Sequence, residues 1–268
     1  MIVENLHTLL KIQILKECIM AVSRLDLDAY LSNLLKVDQF NDYCPNGLQI
    51  EGSLTIERIV TGVTASQRLI DEAIAHNAQA ILVHHGYFWK GENQAIAGIK
   101  RSRIATLLEH DINLFAYHLP LDAHETLGNN VQLANELGWN ISGNLPKSLA
   151  LYGRVDGMET GATLQRKLSE ALDYDVQHIG EQNDEIETVA WCTGAAQDEL
   201  ERAIDAGVDA FVSGEISERT VHLALESGVH YFAAGHHATE RGGVRALGAH
   251  LAQQFNVDVQ FIDLPIPV

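Results

Sequence analysis

The chain has 268 residues, of which 46% are hydrophobic, and this is enough for one large core or two medium-sized cores. Its 36 acidic residues outnumber its 18 lysines and arginines, which gives a formal net charge of −18. That charge repels nucleic-acid phosphates and anionic membranes at long range, so neither is expected as a partner.

The cysteines and the N-terminal segment indicate the cellular compartment. Cys18, Cys44 and Cys192 lie far apart and form no Cys-x-x-Cys pair, so the sequence predicts neither a disulfide framework nor a thiolate zinc site. A cytoplasmic location fits this pattern best. Residues 1–19 are apolar but interrupted by charged side chains, so we interpret them as an N-terminal extension rather than a signal peptide or membrane span.

Strands and helices alternate along most of the chain. A helical pattern from Leu25 ends in the turn "CPNG", and strand "RIVTGVTA", helix "SQRLIDEAIAHN", strand "AQAILVHHG", helix "RSRIATLLEHD" and strand "INLFAYHLP" follow. The pattern weakens after Gly138 and resumes from "TVAWCTGAA" to a final strand "VDVQFID". This predicts an α/β fold with a largely parallel sheet, divided into a first lobe over residues 20–140, a peripheral or linking segment over 141–187 and a second lobe over 188–268.

The two predicted lobes resemble each other. At a constant offset of 130 residues, identical residues coincide, namely Gln67, Ala73, Ile74 and Ala80 with Gln197, Ala203, Ile204 and Ala210. At an offset of 118, His118 and Asp122 coincide with His236 and Glu240. An internal duplication explains both matches. The alternative is that any two strand–helix units share such patterning.

Histidines and carboxylates collect where apolar strands end. In open α/β sheets these carboxyl ends are where ligands bind. Six of the 13 histidines lie at three such ends: His84, His85, His118, His124, His236 and His237. Glu215 follows a fourth strand in "VSGE" and is expected to face the same cleft, or else to begin a helix. Tyr87, Phe88 and Trp89 adjoin the first pair and either stack on a ring-shaped substrate or pack the core.

The residue types point to a metal site. His84 and His85 can face one site where Gly86 breaks the strand, and there they can contact two different ions. Asp122 and Glu240 add carboxylate oxygens, and this mixed ligand set suits zinc, iron or manganese. A surface histidine pair and a helical salt bridge are the alternatives for each motif alone. The remaining histidines at the strand ends are expected to hydrogen-bond the ligands, or one of them to act as general acid or base.

Several motifs resemble those of the Nif-three-like family, whose members are labelled GTP cyclohydrolase 1 type 2 homologues, and most closely its short bacterial YbgI-like members. They are "PNGLQIEG", "HHGYFWKG", "HLPLDAH", "WCTGAAQ", "DAFVSGEISE" and "AAGHHATERGG". The resemblance implies two related α/β lobes with a dinuclear metal site between them, assembled as a homohexamer. It implies His84, His85, Asp122, His236 and Glu240 as ligands of two divalent ions per subunit, with Glu240 bridging.

The chemistry of a two-metal site, rather than the resemblance, suggests a reaction class. Metal-assisted hydrolysis is the natural chemistry of such a site, with a small-molecule substrate such as a purine nucleotide. His118 or His237 would then move protons and Trp89 would stack on the base. The alternative is a non-catalytic metal-binding or metal-delivery hexamer. Activity of wild type compared with His236→Ala and Glu240→Ala distinguishes the two functions.

Overall fold

The computed structural model describes residues 20–268, so the predicted extension of residues 1–19 lies outside the described residues. This part of the chain forms a five-stranded sheet, a six-stranded sheet and a two-stranded ribbon, with helices packed around them. The predicted α/β class is therefore confirmed. Within the same residues, no helix combines the length and the apolar character needed to cross a bilayer.

Six of the ten α-helices in the described residues lie close to segments predicted as helices, whereas those that begin at Leu119, Asn129, Gly161 and His236 were not predicted. In chain order the ten helices are α1 (Arg24–Leu34), α2 (Gln67–Ala75), α3 (Gly98–Glu109), α4 (Leu119–Ala123), α5 (Asn129–Leu137), α6 (Gly161–Leu172), α7 (Leu200–Ala206), α8 (Glu218–Ser227), α9 (His236–Thr239) and α10 (Arg241–Phe255). Side-chain caps fix several starts. Ser66, for example, accepts a hydrogen bond from the backbone N–H of Leu69 and so begins α2.

The first sheet is mainly parallel and buried on both faces. Its strand order is β13 (Asp258–Phe261), β4 (Arg58–Thr64), β5 (Ala80–His85), β6 (Asn113–Ala116) and β2 (Gly47–Ile50), with only β2 antiparallel. Side chains alternate between the faces, so Ile59 packs with α1 and α10 while Val60 packs with α2 and α3. The ribbon of β1 (Val22–Ser23) and β3 (Thr55–Ile56) lies beside α1.

The second sheet repeats the central part of the first. Its order is β7 (Asn140–Asn144), β8 (Leu151–Thr160), β10 (Glu185–Cys192), β11 (Ala210–Ser213), β12 (His230–Ala233) and β9 (Gln177–Ile179). The strands β10, β11 and β12 are parallel and β9 is antiparallel to β12, as β2 is to β6. Ile59 pairs with Ala80 and Val189 pairs with Ala210, so the offset of 130 residues is kept in the strand register. This agreement supports the predicted duplication.

Sheet membership differs from the predicted ranges at two places. The last strand, β13, pairs in parallel with β4 of the first sheet rather than with the second. Within residues 141–187, β8 and β9 are integral strands of the second sheet, and α6 packs in its core. A strand pattern identifies a strand but not its partner, because pairing is decided by tertiary contacts. The division into domains itself stays a prediction.

Candidate metal centre

The carboxyl ends of three strands bring together the five predicted ligand residues. His84 and His85 are the last residues of β5, which ends before Gly86 as predicted, and Asp122 lies in α4, just after β6. His84 Nε2 lies 3.4 Å from Asp122 Oδ1 and 3.3 Å from Glu240 Oε1. The turn after β12 supplies the rest, since His85 Nε2 and His236 Nε2 each lie 3.2 Å from Glu240 Oε2. We call these five residues the His/Asp/Glu cluster.

The cluster contains two groups of three residues that share Glu240. In each group the side-chain donor atoms lie within 4.8 Å of one another. The inner group is His84, Asp122 and Glu240, whose side chains are 0%, 10% and 3% exposed. The outer group pairs Glu240 with His85 and His236, whose side chains are 17% and 25% exposed. The two groups therefore differ in their access to solvent.

Hydrogen bonds at Nδ1 orient the three histidines. His84 Nδ1 donates to the backbone carbonyl of Tyr117 at 2.9 Å, and His236 Nδ1 donates to Glu215 Oε1 at 2.7 Å. His85 Nδ1 is 3.2 Å from the Thr64 hydroxyl. A carbonyl or carboxylate oxygen only accepts, so Nδ1 of His84 and of His236 carries a hydrogen, and loss of the proton from Nε2 leaves a lone pair facing the cluster, as in metal-binding histidines. Glu215 thus contributes to the predicted site by holding His236.

Gly194 and Asn129 fix the positions of the Glu240 and Asp122 carboxylates, respectively. Gly194 has φ +69°, and a Cβ there would lie 2.2 Å from Glu240 Oε1, so a larger residue would displace this carboxylate. Asn129 Nδ2 donates to Asp122 Oδ1 at 2.8 Å, while Asn129 Oδ1 accepts from the Gly243 N–H at 2.8 Å. Asn129 therefore links the helix that carries Asp122 to α10.

The buried charges shift each other's pKa values in the metal-free chain. Burial alone would lower the pKa of His84, but Asp122 and Glu240 raise it to about 10. Burial likewise opposes protonation of His236, and Glu240 raises its pKa to about 9. His85 is different, because burial outweighs the attraction of Glu240 and lowers its pKa to about 3. Burial raises the pKa of Asp122, whereas His84 and His85 hold that of Glu240 well below its usual value despite burial. The cluster thus balances carboxylates with imidazolium ions.

The cluster lies at the base of a cleft of about 860 Å³. Trp89 lines it, with its ring centroid 5.9 Å from that of His85 and 5.0 Å from that of His118. Other residues also line it, namely Lys147, Ala195, Ala196, Asp198 and Glu199. Tyr87 is instead buried and donates to the Ala65 carbonyl at 2.8 Å. Tyr87 therefore packs the core, whereas stacking of Trp89 on a substrate stays a prediction.

The other histidines at the strand ends take different positions. His118 lines the cleft, with its ring 5.1 Å from that of His84. His237 is buried away from the cleft, and its Nε2 lies 2.8 Å from Asp263 Oδ1. Successive residues of a helix point roughly 100° apart, so His236 and His237 cannot face the same site from α9. His124 Nδ1 accepts a backbone N–H at 3.1 Å from Leu127. Of the two histidines predicted to move protons, the structure brings only His118 to the cleft.

Sequence reasoning missed three residues that shape the site. Gly194 and Asn129 are described above, and the third is Asp42, which lies in the segment before β2 and contacts His118 Nδ1 at 2.7 Å. The signal for Asp42 was the turn-rich segment "NDYCPNG", whose polar side chains often bind backbone groups. Its tertiary partner could not be inferred from that pattern.

Comparisons with known proteins identify a family. A family model described as Duf34/NIF3 (NGG1p interacting factor 3) matches residues 22–266. The Yersinia pestis protein named GTP cyclohydrolase 1 type 2 homolog is 52% identical over 243 residues, covering 90% of this chain and 98% of that protein. A solved structure of protein ybgI, described as of unknown function, has a TM-score of 0.90 and 47% identity, covering 92% of this chain and all of the other. TTHA1606 from Thermus thermophilus has a TM-score of 0.83 and 33% identity with the same coverage.

Proposed function

This chain belongs to the Duf34/NIF3 family, and we propose that it holds two divalent metal ions and acts as a metal-dependent hydrolase. The observation that carries the proposal is the position of Glu240, which belongs to both the inner and the outer group of the cluster. A carboxylate has two oxygens and can therefore contact two ions. Glu240 Oε1 faces His84, whereas Oε2 faces His85 and His236.

The chemistry of the residues fits such ions. Among the described residues, His84 Nε2 and Glu240 Oε2 are buried and lack a hydrogen bond of acceptable geometry. Buried polar atoms without partners cost free energy, so His84 Nε2 favours a bound ligand at the inner group and Glu240 Oε2 favours one at the outer group. Imidazole and carboxylate together suit zinc, iron or manganese. We propose the inner and outer groups as the two ion positions.

Bound divalent ions would supply Lewis-acid chemistry, polarising a substrate oxygen and lowering the pKa of water. The remaining tasks belong to the side chains of the cleft. Trp89 offers a ring for stacking, Tyr43 is 63% exposed beside it, and Lys147 provides a positive charge. These features support a small planar substrate with an anionic group. A purine nucleotide such as GTP has that chemistry, and the name of the Yersinia pestis relative points the same way.

His118 is proposed to transfer a proton to or from the substrate, since it lines the cleft beside His84 and Trp89. His237 has no such role in the proposal, because its side chain binds Asp263 behind the cluster. Hydrolysis needs a group that accepts a proton from the attacking water and returns it to the leaving atom.

A non-catalytic metal-binding or metal-delivery assembly is the second candidate, with the homohexamer as its proposed form. The observation that favours it is the exposure of His85 and His236, which would let an ion at the outer group exchange with solvent. The inner group is less exposed, with side chains of His84, Asp122 and Glu240 that are 0%, 10% and 3% exposed.

Elemental analysis combined with a turnover screen tests the proposal. Wild-type protein loaded with zinc, manganese or iron is expected to hold two ions per chain and to hydrolyse at least one nucleotide or phosphoester. Glu240→Gln is expected to lose both ions and all turnover. Glu226→Gln, which removes the same charge from an exposed position on α8, is the matched control and should retain both. One ion or none in folded wild type would refute the metal site, whereas two ions without turnover would favour metal delivery.

A further inference from the structure

Asp42 is a buried carboxylate with a complete set of hydrogen-bond donors. Its side chain is 2% exposed. Oδ1 accepts from the Tyr43 N–H at 2.5 Å and from His118 Nδ1 at 2.7 Å. Oδ2 accepts from Asn46 Nδ2 at 2.8 Å and from the Leu119 N–H at 2.9 Å. Burial would raise the pKa of Asp42, but His118 and Asn46 lower it to about 2, so the group is an anion that only accepts hydrogen bonds.

The same segment holds the backbone of His118. Asn46 Oδ1 accepts from the His118 N–H at 2.7 Å, so Asn46 bridges the carboxylate and the main chain of the histidine. The ring and the backbone of His118 are therefore both fixed by residues 42–46. Because Asp42 accepts from Nδ1, that nitrogen carries a hydrogen, and in the neutral ring Nε2 carries the lone pair.

A third metal ion is a poor explanation for this arrangement. Asp42, Cys44 and His118 do place three donor atoms within 4.8 Å of one another. However, four donors already satisfy Asp42, and a cation would have to displace them. Burial and the neighbouring Asp42 also raise the pKa of Cys44 to about 12, which keeps it a thiol, whereas a thiolate is the metal ligand.

We propose that Asp42 is a positioning residue that holds His118 in its Nδ1–H form, with Nε2 facing the cleft as the acceptor for an O–H or N–H group. The proposal rests on the proposed function, because that function requires a substrate in the cleft. In turnover the X–H bond of that group breaks, its proton forms a bond with Nε2, and the electron pair stays on X. Asp42 then faces an imidazolium ion, which it stabilises by charge. The proposal therefore requires that His118 binds no ion, although its ring lies with His84 and His85 in a further group whose donor atoms are within 4.8 Å of one another.

The tautomer of His118 is directly measurable by solid-state ¹⁵N NMR on full-length, zinc-loaded and metal-free protein labelled at histidine. The His118 signals are those that disappear in His118→Gln. Wild type is expected to show a protonated Nδ1 and an unprotonated Nε2 without a metal-induced shift. Asp42→Asn should lose the Nδ1–H signal, and Asp42→Glu should restore it. The control is Asp209→Asn, since Asp209 also accepts backbone N–H groups but lies in the second half, away from the cleft.

Metal content and kinetics separate this role from a structural one. His118→Gln and Asp42→Asn are expected to retain the zinc content of wild type. With any substrate found in the turnover screen, Asp42→Asn should lower kcat about 100-fold or more, with KM within about twofold.

Wild type in which the His118 hydrogen is on Nε2 instead of Nδ1 would overturn the proposal. This tautomer is measured in wild type and therefore does not depend on whether Asp42→Asn folds. The proposal is equally overturned by loss of one ion in His118→Gln, or by an unchanged tautomer in Asp42→Asn. Wild type without metal would defeat the proposed function alone, because the tautomer is also measured in the metal-free chain.

Discussion

The two halves of the chain share a strand arrangement but contribute different side chains. The strand β5 ends in His84 and His85, whereas the matching strand β11 ends in Ser213 and is followed by Gly214 and Glu215. The inner group takes two residues from the first half and Glu240 from the second. The outer group takes one residue from the first half and two from the second. A repeated framework thus places the strand ends opposite each other, and neither half completes either group.

A second comparison concerns the histidines that match at the offset of 118. His118 Nδ1 and His236 Nδ1 each lie 2.7 Å from a carboxylate oxygen, that of Asp42 and that of Glu215. The carboxylates come from unrelated positions, one before β2 and one after β11. Equivalent histidines can therefore be oriented in the same way by non-equivalent partners, and only His236 belongs to a group with Glu240.

The largest expected effect comes from Gly194→Ala, which acts on the residue that both groups share. Its Cβ would lie 2.2 Å from Glu240 Oε1, so we expect the affinity for both ions to fall about 100-fold, the upper end of the range for losses of ligand orientation. Gly207→Ala is the control, because Gly207 has the same φ of +69° and an open space around it. Both substitutions should cost roughly 1–2 kcal/mol of folding stability. Calorimetric titration measures the metal affinity of both variants. Equal affinities in Gly194→Ala and Gly207→Ala would contradict the predicted role of Gly194.

A smaller effect, confined to one ion, is expected from Glu215→Gln. The amide no longer holds His236 Nδ1 by a charged hydrogen bond, so the affinity of the outer ion should fall about 10- to 100-fold while the inner ion is unaffected. Asp42→Asn, the corresponding change in the first half, should leave both affinities unchanged. The affinity of each ion is measured by competition with a chelator. If Glu215→Gln lowered both affinities equally, the inner and outer groups would not be distinct sites.

Metal binding is expected to depend on pH. The raised pKa values of His84, about 10, and His236, about 9, mean that both rings are protonated at neutral pH in the metal-free chain. A metal needs their lone pairs, so binding releases a proton from each ring. The affinity of each ion should then rise about tenfold per pH unit up to pH 9. Calorimetry in buffers of different ionisation enthalpy counts the protons, and a pH-independent affinity would exclude this coupling.

The order of metal loss is the mildest prediction. The outer group is partly exposed and the inner group is buried, so a chelator should remove one ion several-fold faster than the other. His236→Ala should abolish the fast phase and leave the slow one. A single phase in wild type would show that exposure does not distinguish the two positions.

The sequence predicts which residues of the cluster lie together because they follow apolar strands, and the carboxyl ends of parallel strands meet at one edge. His84, His85, Asp122 and Glu240 were found in this way. Asp42, Asn129 and Gly194 were not, because their roles depend on contacts between segments distant in sequence. The same limit explains β13, whose pattern reveals a strand but not its pairing with β4.

His237 shows how a motif can mislead. It adjoins His236 in "GHHATE", but a helical turn directs it to Asp263 instead of the cleft. Adjacent residues share a site where a strand ends, as His84 and His85 do, and separate where a helix begins. The local conformation therefore decides what a histidine pair can do.

Anomalous diffraction from crystals of the metal-loaded protein tests the central claim most directly. Data collected on either side of the absorption edge of the bound metal locate each ion independently of the protein chain. The account predicts two peaks per chain, one beside His84 and Asp122 and one beside His85 and His236, with Glu240 contacting both. A single peak per chain, or two peaks that are not both in contact with Glu240, would contradict it.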